Sequence, residues 1–447
     1  MKVLRLTCVV FTALLTVCTI PVRLAAQGLE NNKKQPYYSV QNLGTLGGTL
    51  SVGQGINNKG GVTGIANLSG DQTVHSALWR RGAKIQDLGT LGGPNSGVFW
   101  PIKDDRGLIA GASEIADLDP YQEDFCGFAR DGWPGNYLCL GFLWQGGTMT
   151  PLPTLGGNNS YATAANNSGQ IVGFAEKTIQ DPNCVPPQIF DSGAVIWGPM
   201  PGEMRELSPF SDDVVAVAIA INDKGQVVGS SGPCGESVSG PLMPVHAVLW
   251  PNDGSPVDLG NLGGAVNNAA LAINNRGEIA GASDLADDLT GHAFVWTKNA
   301  GMKDVGTLPG DFSSLALGIN NRGEVVGTSC DQAGNCRAFL WQEGVMMDLN
   351  TLISPQSPIY LISAADINDG GEISGAAYDT NTGDAPAFLA IPCGQEHTHV
   401  AGCEDLLRMG TDAQEPTERP KVIIPLENVR EMLRRHQGLG PSSTPIR

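Results

Sequence analysis

One short turn recurs along the whole chain. It reads Ile56-Asn57-Asn58-Lys59-Gly60. It returns as Ala165-Asn-Asn-Ser-Gly169, Ile221-Asn-Asp-Lys-Gly225, Ile273-Asn-Asn-Arg-Gly277, Ile319-Asn-Asn-Arg-Gly323 and Ile367-Asn-Asp-Gly-Gly371. A degenerate copy is Lys103-Asp-Asp-Arg-Gly107, which makes seven at a mean spacing of about 52 residues. A second glycine follows each turn glycine by four: Gly64, Gly111, Gly173, Gly229, Gly281, Gly327 and Gly375. Asn-Asn-x-Gly suits a hairpin turn closed at positive φ, where glycine carries no Cβ penalty. Repetition at this period signals a solenoid or a propeller before any other reading of the chain.

Each copy holds four short segments. A small-residue segment A precedes the turn, as in Ala269-Ala-Leu-Ala-Ile273. Segment B follows it, as in Glu324-Val-Val-Gly327, and segment C is of the His292-Ala-Phe-Val-Trp296 type. Segment D is of the Met302-Lys-Asp-Val305 type, and a Gly-Thr-Leu-Gly-Gly loop leads on, as at Gly89–Gly93. B and C are rich in the β-branched and aromatic residues that suit a pleated surface. Four antiparallel strands per repeat describe a propeller blade. A solenoid would need polar caps on its end faces, and neither end of the array has one.

Closure follows from the ends of the array. Tyr38-Ser-Val-Gln-Asn-Leu43 resembles a D segment with no A, B or C before it, and the last repeat (358–392) has no D after it. Pairing the two removes the open edges of the ring. The expected fold is therefore all-β, a seven-bladed β-propeller over 38–393 with segment A innermost. Crowding at the axis would explain the small residues Gly53, Gly55, Ala162, Ala164, Ala216, Ala218, Ala270 and Ala272 of segment A.

Composition agrees. Glycine makes up 59 of 447 residues, near twice the usual share, and only 16% of residues are charged. This excludes a coiled coil, and the even spread of Val, Ile, Leu and Trp argues against disorder. The formal net charge of −18 lies in the body of the chain, which holds about −20 once both ends are set aside. Such a body repels nucleic acid and anionic membranes, so neither is an expected partner, and no later stretch is apolar enough to insert in a membrane.

The ends read differently. Residues 1–26 look like a signal peptide: Lys2 and Arg5, a short apolar run over 9–20, and a cleavage site at Leu24-Ala-Ala26. Export to the periplasm or the medium of a bacterium is the expected localisation. Residues 27–37 then form a linker, and residues 394–447 a C-terminal extension with a helix at about 425–437, where Leu426, Val429 and Leu433 make an apolar stripe.

With Cys8 and Cys18 removed alongside the signal, eight cysteines remain in an oxidising compartment, where disulfides are the default. Proximity suggests Cys126–Cys139, Cys330–Cys336, Cys393–Cys403 and Cys184–Cys234, although eight cysteines allow 105 connectivities. No C-x-x-C occurs, which disfavours zinc.

The motifs Asp87-Leu-Gly-Thr-Leu-Gly-Gly93, Ile-Asn-Asn-x-Gly-x-Val-x-Gly and His292-Ala293-Phe294, in fixed order over about 38–393, resemble the HAF family of bacterial extracellular repeats. Ser208-Pro-Phe-Ser211 and Ala390 depart from that pattern, where Leu-Gly-Gly and a Trp are expected. The resemblance implies secretion and a repeat architecture, and carries no established reaction and no catalytic residue.

Reactive constellations are scarce. His75, His246 and His292 each precede a Trp by four and sit on three different repeats, which suits structure better than a shared ion. Trp79, Trp144, Trp197, Trp250, Trp296 and Trp341 form a ring by symmetry, either sugar platforms or packing between blades. Acidic loops hold Glu114, Asp117, Asp119, Glu123 and Asp124 in the second repeat, and Asp284, Asp287 and Asp288 in the fifth. Of these, Asp117, Asp119, Asp284, Asp287 and Asp288 are candidate calcium ligands, since calcium takes loop carboxylates; no other cofactor is expected. Asn57 with Gly60, Gly107, Gly169, Gly225, Gly277, Gly323 and Gly371 are assigned to the structural turns.

The leading expectation is a secreted, monomeric, non-catalytic propeller that binds a protein or glycan. One alternative is a polysaccharide hydrolase or lyase with paired carboxylates at one mouth, its asymmetry in the insertions around 114–139 and 176–192. Another is a calcium-stabilised surface or matrix protein.

Overall fold

The computed structural model describes residues 36–101, 104–129, 132–184, 188–234, 245–252 and 254–394, with Cys403 and Val422. The signal peptide expected at 1–26, most of the linker expected at 27–37 and the helix expected at about 425–437 lie outside them.

The first strand is β1 (Tyr38–Gly44). Blade 1 is β2 (Gly47–Ile56), β3 (Val62–Leu68), β4 (Val74–Trp79) and β5 (Gln86–Asp87). Blade 2 is β6 (Ser96–Gly97), β7 (Ile109–Leu118), β8 (Tyr137–Gln145) and β9 (Thr148–Pro151). Blade 3 is β10 (Gly156–Ala165), β11 (Ile171–Gln180), β12 (Phe190–Trp197) and β13 (Met204–Leu207). Blade 4 is β14 (Val215–Ile221), β15 (Val227–Gly232), β16 (His246–Trp250) and β17 (Val257–Asp258). Blade 5 is β18 (Ala269–Ile273), β19 (Ile279–Asp284), β20 (Gly291–Thr297) and β21 (Gly301–Gly306). Blade 6 is β22 (Ser313–Ile319), β23 (Val325–Cys330), β24 (Cys336–Gln342) and β25 (Val345–Asp348). Blade 7 is β26 (Ile359–Ile367), β27 (Ile373–Asp379) and β28 (Ala387–Pro392), completed by β1.

The seam lies where the ends of the array place it. Tyr38 pairs with Pro392, Val40 with Ala390 and Asn42 with Phe388, all antiparallel. All seven sheets have four strands. No helix among the described residues is long and apolar enough to cross a membrane.

Both glycine positions have a physical cause. The seven turn glycines all take positive φ, from +73° at Gly225 to +94° at Gly107. In six of the seven blades the second glycine faces a bulge in the innermost strand, as between Ala218 and Ala220 opposite Gly229. A Cβ at Gly229 would overlap the Val217 carbonyl oxygen, and one at Gly173 that of Tyr161.

The small residues of the innermost strands turn out to have a different cause from crowding at the axis. One side of these strands feeds a single central cluster with large residues: Val52, Tyr161, Val217, Leu271, Leu315 and Tyr360. The alanines take the other side, between blades: Ala162 in one cluster, Ala164, Ala216 and Ala218 in the next, Ala270 in a third. Adjacent blades approach most closely at the hub, so the side chains between them must be small.

Candidate functional site

The propeller has two chemically distinct faces. The A–B and C–D turns make a turn face. The B–C loops and the links between blades make a loop face.

On the turn face, the first turn residue folds its side chain back. Asn166 Oδ1 accepts from the Ser168 and Gln170 N–H groups, both at 3.0 Å. Its Nδ2 reaches across to the next blade and donates to the Asn222 carbonyl at 3.0 Å. The same bridge runs from Asn222, Asn274, Asn320, Asn368 and Asn57. Blade 2 breaks it, because a carboxylate at Asp104 accepts from Arg106 and Leu108 but has no N–H to give.

The second turn residue forms a ring of its own. Each backbone N–H donates to the side-chain oxygen of the next copy, at 2.8–2.9 Å, in the order Asn58, Asp105, Asn167, Asp223, Asn275, Asn321, Asp369 and back to Asn58. Part of the ring rims an opening of about 40 Å³ floored by Ile221, Ile273, Ile319 and Ile367. That is room for a water or two. Sequence reasoning assigned these positions to the turn and missed the ring, although each copy carries Asn or Asp there.

The histidines at the loop face and the tryptophans at the far end of the same strands have structural roles. His75 Nδ1 meets Asp87 at 2.9 Å, His292 meets Asp304 at 3.0 Å and His246 meets Asp213 at 2.9 Å. Burial pushes Asp87 up, but the hydrogen bonds from His75 and the Gly89 N–H outweigh it and hold the carboxyl below its usual range. In blade 6 the equivalent Arg337 is buried between Asp311 and Asp348. Trp197 Nε1 donates to the Pro153 carbonyl and Trp250 Nε1 to that of Ser208, in each case in the link from the preceding blade. Trp79, Trp144, Trp197 and Trp250 are buried between blades, while Trp296 and Trp341 pack half-buried against the clusters there.

Symmetry breaks in blades 2 to 4. The insertion after β7 carries Phe125, Phe128 and Trp133 into the central cluster. Phe128 lies 5.7 Å from Phe99, and Phe125 5.5 Å from Phe174, between ring centroids. Apolar side chains of the insertion thus join those of the innermost strands in one cluster. Disulfides fasten the same region: Cys126–Cys139 ties the insertion to β8, and Cys184–Cys234 joins blades 3 and 4. Cys330–Cys336 closes the blade 6 loop and Cys393–Cys403 the start of the extension. All four pairs are those that proximity suggested. Val422 of the extension packs on the central cluster.

Beneath the insertion lie carboxyl groups with little water. Glu114, 1% exposed, accepts from Asn95 Nδ2 at 2.8 Å, and burial pushes it up to about 8. Glu176 Oε2 accepts from the Asn158 and Asn159 N–H groups, while Glu123 Oε1 accepts from the Ile189 N–H at 2.8 Å. Their other oxygens face each other without another donor. Burial raises both groups, and the proximity of the two carboxyls favours a shared proton. At 2% and 0% exposure, Glu123 and Glu176 are closed to a polymeric substrate in this conformation. The pairing joins an insertion to a neighbouring blade, and no local sequence signal announces it.

Each calcium candidate but one is placed by protein donors. Asp119 accepts from the Tyr121 N–H and Asn159 Nδ2, Asp284 from Asn267 Nδ2, Asp287 from the Leu289 and Thr290 N–H groups, and Asp288 from the Ala265 N–H. Burial pushes Asp284 up to about 6. Asp117 lies exposed near the end of β7. A separate group, Asp181, Asp191, Cys184 and Cys234, comes close enough to hold a metal ion, but its two sulfurs form the disulfide described above.

These features define the chain as a seven-bladed β-propeller with one symmetric and one asymmetric face. No family model matches the chain, and no curated protein matches it. Among solved structures it is similar to TolB from Acinetobacter baumannii, at 12% identity and a TM-score of 0.39 over 74% of this chain and 63% of that one. It is similar to YjhT at 10% identity and a TM-score of 0.33, over 56% of this chain and 87% of that one. It is also similar to a mutant Aleuria aurantia lectin in complex with Fucα1-6GlcNAc, at 9% identity and a TM-score of 0.29, over 79% of this chain and 99% of that one. Likeness at this distance transfers no function.

Proposed function

We propose that this chain is a secreted, non-catalytic repeat protein whose loop face binds an extracellular protein or glycan. The observation that carries the reading is exposed apolar surface at the asymmetric insertions. Leu118, Tyr121 and Ile179 are 66%, 43% and 56% exposed on blades 2 and 3. Tyr121 is held by an edge contact with Phe190 at 5.2 Å and a hydrogen bond from Gln180, so it is presented in one orientation. Rigid aromatic anchors of this kind favour recognition. Four disulfides, with no membrane-crossing helix among the described residues, fit an extracellular or periplasmic protein. The proposal includes export by the N-terminal signal and membership of the HAF repeat family, supported by the ordered motifs.

A glycan array and a cross-linking screen against envelope proteins, both with the chain from Gln27 onward, test it. A partner retained by the native chain is expected to be lost in the triple variant Leu118→Ser, Tyr121→Ser, Ile179→Ser, with the melting temperature unchanged. Release of product from any polysaccharide by the native chain, or equal retention by the variant, refutes the reading.

A further inference from the structure

The turn face departs from its symmetry only in blades 1 and 2. In five of the seven turns the residue after the turn glycine is Gln170, Gln226, Glu278, Glu324 or Glu372. Its side chain accepts from the turn asparagine, at 2.9 Å in Asn166–Gln170 and 2.6 Å in Asn274–Glu278. It also rests near the turn glycine of the next blade, as Glu278 does at Gly323 and Glu372 at Gly60. The three carboxylates each meet a guanidinium: Arg276 with Glu278, Arg322 with Glu324, and Arg81 with Glu372 across blades.

Blade 1 has Gly61 at this position. With no side chain there, a cleft of about 410 Å³ opens between the turns of blades 1 and 2. That volume lies within the usual range for small-molecule sites. Its walls carry Lys59, Arg80, Arg81 and Arg106, a cationic cluster on a strongly acidic body. The carboxylates nearby are already engaged: Asp104 by Arg106, Asp105 by Asn58, Glu372 by Arg81 and Asn368. Among the described residues Lys59 and Arg80 have no carboxylate partner. A second observation is independent of charge. Thr63 lines the cleft, is only 7% exposed, and its hydroxyl has no partner. Five other blades place Ala110, Val172, Val228, Ala280 or Val326 at that position, and blade 7 places Ser374, which is buried without a partner but does not line the cleft. A buried hydroxyl without a partner is a cost that a ligand would relieve.

We propose that this cleft binds a carboxylate-bearing ligand of hexuronate size. Its carboxylate would take the place that Glu278, Glu324 and Glu372 fill in their own turns. Lys59 and Arg80 supply the charge, and Thr63 a hydrogen bond. The inference concerns the face opposite the proposed partner surface and does not depend on that reading.

Calorimetric titration of the disulfide-bonded chain with galacturonate, galactose and inorganic phosphate tests it. Galacturonate is expected to bind, with galactose at least about 10-fold weaker, as the loss of one charge-assisted hydrogen bond implies. Gly61→Glu supplies the missing carboxylate from the protein. A Cβ at Gly61 meets only the Asn57 side chain, 3.3 Å away at its nearest, and three sister turns already carry Glu. This variant is expected to fold and to lose binding, while Lys59→Gln with Arg80→Gln weakens it. Tighter binding of tri-galacturonate would assign the carboxylate to a polymer, and equal binding to a free acid. No saturable binding of galacturonate by the folded native chain, equal binding by Gly61→Glu, or preference for phosphate overturns the proposal.

Discussion

Asp369 donates its backbone N–H to Asn58 Oδ1 at 2.9 Å, across 311 positions of chain. The bond repeats, over the seam, the link that joins every other pair of neighbouring turns. Closure therefore has two parts: strand pairing through β1 at the rim, and this ring near the axis.

The blade 2 turn is the weak link in the inner bridges. Asp104→Asn would add a cross-blade donor to the Asn166 carbonyl, which now accepts from the Gly169 N–H, and is expected to stabilise the fold by about 0.5–1.5 kcal/mol. The lost contact with half-exposed Arg106 subtracts little. Asn274→Ala removes a bridge and both turn bonds and should destabilise by about 1–3 kcal/mol. Urea midpoints measure both, and a lowered midpoint for Asp104→Asn contradicts the account.

The two glycines of a repeat should respond differently. Gly225→Ala forces an alanine to φ near +73°, at about 1–2 kcal/mol. Gly229→Ala drives a methyl into the Val217 carbonyl and is expected to cost about 3 kcal/mol, the upper end of overpacking. Equal costs in denaturation experiments would mean that the bulge relaxes.

Stability is expected to fall as pH rises from about 5 to 8. Glu114, Glu123 and Glu176 all have raised folded-state pKa values, so the folded chain holds protons that the unfolded chain releases near pH 4.5. Their contribution is complete below that point and is lost as pH climbs through the folded values. Glu123→Gln keeps a donor for Glu176 and should flatten the dependence by on the order of 1 kcal/mol. Thermal melts across this range decide it, and a native profile that rises toward pH 8 counts against the buried pair.

Loop length ranks the disulfides. Replacing Cys184 and Cys234, 50 residues apart, with serine is expected to cost about 4 kcal/mol, against about 2 kcal/mol for Cys330 and Cys336, 6 residues apart. Midpoints in the reverse order would show strain or residual structure outweighing chain entropy.

Chelator is expected to leave the melting temperature unchanged, since Asp284, Asp287 and Asp288 already brace their loop through protein N–H donors. A drop of several degrees, restored by calcium, would return these carboxylates to a metal.

What was legible in the sequence was whatever repeats. Gly60 and Gly64 recur because backbone geometry demands them in every blade, so blade number, turn type and seam all follow. The cysteine pairs were readable because each pair lies on one loop or on corresponding loops. The repeat pattern marks Ala162 and Ala218 as innermost, but a strand seen alone does not say which of its sides meets the axis. The departures Asp104 and Gly61 were visible too, yet their meaning depends on the turn of the next blade. Glu123 and Glu176 come from loops of unrelated length, and only the packed insertion brings them together.

The pairing of Tyr38 with Pro392 also sets a timetable. Until β28 exists, β1 has no partner and the last blade has an exposed edge. The slowest contact to form is thus the one that seals the ring, since its loop-closure entropy spans nearly the whole propeller. A ring left unsealed would carry two open edges, each a template for pairing with another copy.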